Sequence, residues 1–87
     1  MKEFKVKLFA DTIGETEKNI VKLVNIMSKH GVPADLKGGM NHYTVDASSF
    51  LGVFSICSAP DLTLHLNTDD DVVAEEIASE IAEFVVA

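Results

Sequence analysis

Apolar and polar residues alternate along KEFKVKLF, where Phe4, Val6 and Leu8 are separated by Lys5 and Lys7. A period of two predicts a first strand with one face on a core and the other toward water. In DTIGETEKNIVKLVNIMSKHG the spacing turns helical: Ile20, Leu23, Val24 and Met27 fall on one stripe, His30 stands in the last turn and Gly31 is a stop. Thr12 with Glu15 has the form of a capping box and Thr16 offers a second start, so a helix is expected over 16–30. VPADLKGGMNHYTVDA reads as a hairpin, with strands near 32–37 and 41–46 around KGGMN, because paired glycines supply the positive φ values of a tight turn. Leu62, Leu64 and Leu66 alternate with Thr63 and His65 in another half-buried strand. TDDDVVAEEIASEIAEFVV closes the pattern as a helix, with Thr68 as N-cap, three aspartates in the first turn, and Val73, Ile77, Ile81 and Phe84 facing inward.

Between the hairpin and the last strand, VDASSFLGVFSI is also expected to be helical. It carries more apolar residues than one buried face can hold, since Phe50, Leu51, Val53, Phe54 and Ile56 crowd two turns and a helix hides only a third to a half of its circumference. Some of them should be exposed beside a helix start at Ser48 or Ser49. A compact exposed apolar patch there points to a partner surface. Gly52 supports this reading, because a helix-interior glycine costs about 1 kcal/mol against alanine and survives where another surface comes close.

The element order is therefore βαββαβα in a single domain, residues 1–87. One four-stranded antiparallel sheet would carry three helices on one face and turn Lys5, Lys7, Thr63 and His65 to solvent, an α+β open-faced β-sandwich. The competing architecture is a ferredoxin-like small-molecule-binding regulatory module with DTIGET as its ligand loop and the last helix as an addition.

Composition narrows the chemistry. Fourteen acidic residues against seven lysines give a net charge of −7, which disfavours nucleic acid and anionic membranes as partners. Arginine, the usual bidentate holder of phosphate, is absent from the sequence. No apolar run reaches membrane-span length and the N-terminus lacks a signal-peptide pattern, so the expected location is cytoplasmic. Cys57 is the sole cysteine and sits among apolar residues, as a small buried filler does. His30, His42 and His65 share no metal-ligand spacing and no nucleophile–base arrangement. His30 reads as a cation at a helix C-terminus, His42 as a solvated turn residue and His65 as an open-face residue. Asp69, Asp70 and Asp71 are explained by the helix dipole, and neither a metal nor a cofactor is expected.

The element order and the stretch VDASSFLGVFSI resemble the HPr family, the histidine-containing phosphocarrier proteins of the bacterial sugar phosphotransferase system. On that resemblance Ser49 takes the place of the family's regulatory serine, and Phe50, Leu51, Gly52 and Phe54 that of the adjoining partner-contact surface. Phosphate-carrying members have a Gly-x-His-x-Arg-Pro-like motif between strand one and helix one. The residues matching that active-site loop, Gly14, Glu15, Thr16 and Glu17, hold no histidine, arginine or proline and add negative charge where a phosphoryl group would arrive. The resemblance thus implies a divergent HPr-like protein that is no enzyme and regulates through protein contact, with enzyme I, a serine kinase/phosphorylase or a regulator as partner. A phosphocarrier with a displaced acceptor is the alternative within the family.

Overall fold

The computed structural model describes residues 2–86. Strands β1 (Lys2–Lys5), β2 (Ala34–Gly38), β3 (Tyr43–Asp46) and β4 (Thr63–Leu66) alternate with helices α1 (Ile13–His30), α2 (Phe50–Ile56) and α3 (Asp71–Glu80), followed by a short 3-10 turn, Ala82–Phe84. The strands form one sheet in the order β1-β4-β2-β3, with every pair antiparallel. That order excludes the ferredoxin-like alternative, whose split βαβ unit inserts the third strand between the first and second, whereas here β4 lies between β1 and β2. The open-faced sandwich is the observed architecture, with its three helices on one side.

Register explains the layering. Phe4, Leu64, Leu36 and Val45 stand in one row across the sheet, and alternation sends that row to the helical side. There Leu36 and Leu64 meet Ile20, Leu23 and Met27 of α1, Val53 and Ile56 of α2, and Ile77 of α3 in one buried cluster. Val24 and Val73, expected inward, lie partly buried at its margin.

Several boundaries differ from expectation, each for a physical reason. Helix α1 begins at Ile13 instead of residue 16, because Thr12 is the N-cap and its hydroxyl accepts the Glu15 N–H at 3.1 Å. The last helix is capped by Asp70, whose carboxylate accepts from the N–H groups of Val72 and Val73; Thr68 instead accepts the Asp70 N–H. Ile81 and Phe84 are buried as expected but lie beyond α3. The 3-10 turn swings the chain back so that Val85 bridges Val6 and the Val86 N–H donates to Lys5. The hairpin strands run 34–38 and 43–46, shorter than the expected 32–37 and 41–46, because the turn consumes more residues.

In that turn Gly39, Met40 and Asn41 all have positive φ, at 60°, 57° and 67°. Left-handed backbone costs a non-glycine residue about 1 to 2 kcal/mol, so the conformation needs support. Asp61 supplies it by accepting the Gly39 N–H at 2.9 Å and the Met40 N–H at 2.6 Å. These two bonds, that from Met40 foremost, hold the Asp61 carboxyl below the usual carboxylate range.

A second electrostatic clasp joins the C-termini of α1 and α3. Glu80 accepts from Lys29 and lies 2.8 Å from His30 Nε2, and the Lys29 contact, then that of His30, depresses its pKa. A depressed carboxyl binds fewer protons in the folded than in the unfolded chain, so its stabilisation is present above the unfolded pKa and lost as pH falls through the folded one. Stability is expected to decline through the acid range, and Glu80→Gln should flatten part of that decline in urea titrations from about pH 7 to about pH 3. An acid limb unchanged by Glu80→Gln would place the effect elsewhere.

Candidate functional site

The start of α2 is built by the end of β3. Asp46 ends the strand and its carboxylate accepts the Ser48 N–H at 2.9 Å and the Ser48 hydroxyl at 2.7 Å, which turns the chain. These bonds, the hydroxyl first, lower the Asp46 pKa. Ser49 is the N-cap of α2: its backbone is extended and its side chain accepts the Gly52 N–H at 3.2 Å. The Ser49 hydroxyl thus satisfies one of the donors that every helix start leaves free.

Helix α2 has seven residues and buries only Val53 and Ile56. Leu51 is 79% exposed, Phe50 36% and Phe54 39%. The rings of Phe50 and Phe54 stack with centroids 6.0 Å apart and an interplanar angle of 27°, a geometry in the favourable offset range. One short helix therefore presents two phenylalanines and a leucine to solvent beside Ser49. Gly52 has a structural reason beyond the one expected: a Cβ there would lie 3.2 Å from the Cβ of Val45 and 3.3 Å from the Ser49 hydroxyl. The surface that comes close is the chain's own strand β3.

The residues that the resemblance sets against the family's active-site loop are helical in this chain. Gly14, Glu15, Thr16 and Glu17 lie in the first turns of α1, and Thr16 is fully buried. Its hydroxyl donates to the Thr12 carbonyl at 3.0 Å and accepts the Ala10 N–H at 2.9 Å, tying the β1–α1 connection to the helix. Gly14, Glu15 and Glu17 are exposed. Nearby, Phe9 and Ile13 are exposed large apolar residues.

No histidine lies near this helix start in sequence. His30 is held by Glu80 at the far end of α1, and His42 is exposed in the β2–β3 turn. His65 corrects expectation: it stands on the outer sheet face yet is only 9% exposed. Glu3, its cross-strand partner on β1, lies 3.0 Å from Nδ1, and Nε2 has no hydrogen-bond partner among the described residues. Flanking side chains shelter a ring that strand alternation alone would leave in water. Cys57 is buried, as expected of a filler, and burial raises its thiol pKa.

Among the described residues, no group of three or more His, Cys, Asp or Glu side chains is placed to hold a metal, and no helix is long and apolar enough to cross a membrane. The sequence reading missed the Asp61 clasp on the turn and the brace at Thr16. The Asp61 clasp has no local signal, since Asp61 lies 21 and 22 residues from its two donors, whereas the Thr16 brace joins residues only four and six apart.

No protein-family model and no curated protein sequence matches the chain. Among solved structures, HPr-C-His from Thermoanaerobacter tengcongensis superposes with a TM-score of 0.66 and 18% identity, over 98% of this chain and 91% of that one. At such an identity the likeness is one of fold, and the fold of this chain is that of an HPr-type open-faced sandwich.

Proposed function

We propose that this chain is an HPr-like protein of the phosphoenolpyruvate-dependent sugar phosphotransferase type that works by protein contact in the cytoplasm and neither carries phosphate nor acts as an enzyme. The observation that carries the reading is the solvent-facing cluster of Phe50, Leu51 and Phe54 next to the capping Ser49. Apolar area left in water is recovered when a partner covers it, at roughly 25 cal/mol per Å², and aromatic anchors supply much of the energy of such contacts. Gly52 keeps the helix close to Val45 and so holds the cluster at the sheet edge.

Ser49 is the regulatory phosphorylation candidate. A phosphate on its oxygen would replace the hydroxyl that accepts the Gly52 N–H and set about two negative charges beside the apolar cluster, changing which partner fits. Asp46, exposed three residues earlier, opposes that charge. The partners in this reading are enzyme I, a serine kinase/phosphorylase or a transcriptional regulator of catabolite type.

The absence of phosphotransfer rests on the start of α1, where Thr12 is the cap and Glu15 and Glu17 are exposed acids. An incoming phosphoryl group would meet repulsion without any arginine to offset it. Incubation with enzyme I and phosphoenolpyruvate, followed by intact mass, is expected to leave the protein unmodified. Stoichiometric acid-labile phosphate on His30, His42 or His65 would instead identify a displaced acceptor. Parallel incubation with an HPr serine kinase and ATP tests Ser49: a phosphate that disappears in Ser49→Ala supports the switch, and an unmodified wild type removes it from the proposal.

A further inference from the structure

The face of the sheet away from the helices carries charge in a pattern that the contact site on α2 does not use. Register sets Glu3, His65, Asp35 and Asp46 in one row across β1, β4, β2 and β3. The next row on the same face is Lys5, Thr63, Lys37 and Thr44. One row is acidic and the other basic, on a chain whose net charge is −7. Lys2, Lys22 and Lys29 are engaged in ion pairs with Asp71, Glu83 and Glu80, whereas among the described residues Lys5, Lys37 and Asp35 have none. Charges of both signs without an ion pair therefore stand here in parallel rows.

We infer that this open sheet face is a self-association surface whose occupant is a second copy of the same chain. A two-fold axis lying across the strands, midway between the rows, turns each row onto the other. It sets Glu3 against Lys5 of the second copy and Asp35 against its Lys37, and each reciprocal pair forms at the same time, which is the defining property of an isologous interface. The strands of the two sheets run nearly aligned, within the roughly 30° range of face-to-face packing. The same operation brings the Thr63 hydroxyl of one copy over His65 of the other.

Size sets the strength. Four strands about 4.8 Å apart, paired over about four residues at about 3.3 Å each, span roughly 250 Å² of projected face. Even with side-chain relief this falls short of the about 800 Å² per partner of a standard interface, so the dimer is weak and transient. Salt screens both the local pairing and the repulsion between two acidic chains, so charge exchange isolates the face better than a salt titration.

Sedimentation equilibrium from about 20 µM to about 1 mM at low salt is the experiment. Wild-type mass is expected to rise with concentration. An acidic-face variant, Lys5→Glu with Lys37→Asp, should self-associate at least tenfold more weakly, as should a basic-face variant, Glu3→Lys with Asp35→Lys. An equimolar mixture of the two should recover association. Lys18→Glu with Lys22→Glu, which makes the same change in net charge on α1, should behave as wild type. If circular dichroism shows the basic-face variant unfolded, the acidic-face variant against the α1 control still decides. A wild type that stays monomeric to the highest concentration overturns the inference, as does an acidic-face variant that associates like wild type. Concentration-dependent amide shifts that cluster on α2 instead of the four strands overturn it as well.

Discussion

Truncating Leu64 to alanine is expected to cost about 3 kcal/mol of folding stability, whereas truncating Leu51 leaves stability within about 0.5 kcal/mol of wild type. Both are leucines, and the difference lies in their surroundings. Leu64 is fully buried in the central strand β4, with Phe4 and Leu36 beside it in the row and the helices above. Removing its side-chain carbons loses their transfer free energy and leaves a cavity that strands paired on both sides cannot collapse to fill. Leu51 is 79% exposed, so its loss leaves no cavity at home. Its effect belongs to binding: Leu51→Ala, and Phe54→Ala likewise, should weaken partner affinity by at least about 1 kcal/mol, as truncation of an interface anchor does. Chemical denaturation and titration calorimetry on the same variants separate the two quantities. If Leu51→Ala cost as much stability as Leu64→Ala, the residue would be core and the contact proposal would lose its anchor.

Thr16→Val should destabilise the protein by about 2 kcal/mol, and Thr16→Ser should retain most of that. Valine has the shape of threonine, so packing against the buried helix face is preserved. What disappears is the hydroxyl that accepts the Ala10 N–H and donates to the Thr12 carbonyl. The Ala10 donor would then be left without its partner in a partly buried place, and an unmet buried donor costs about 1 to 3 kcal/mol. Denaturation midpoints of the three proteins at one pH measure the effect. A Thr16→Val protein as stable as wild type would show that water reaches Ala10 and that the brace contributes little. The outcome also bears on the proposed function, because Thr16 is among the positions that the resemblance sets against the family's phosphoryl-accepting loop. A structural brace there gives the residue a reason to exist that phosphate chemistry does not supply.

The alternation in β1 and β4, the apolar stripe of α1 and the glycine pair of the hairpin are local signals with fixed periods, so the sequence alone set the order of the four strands and three helices and the layer they share, but not where each element ends. The excess of apolar residues in FLGVFSI likewise revealed that α2 could not bury them all, since a helix has one face to give to the core. Sequence did not decide what depends on segments far apart along the chain. The left-handed turn at Gly39, Met40 and Asn41 stands because Asp61 arrives from the far side of α2 to accept its N–H groups. His65 is buried on a face that alternation assigns to water, because its neighbours across the sheet, Glu3 and Asp35, come from strands separated by the whole of α1. Hydrogen bonds and ion pairs act over a few ångströms whatever the separation in sequence, so only the closed sheet could bring these groups within reach.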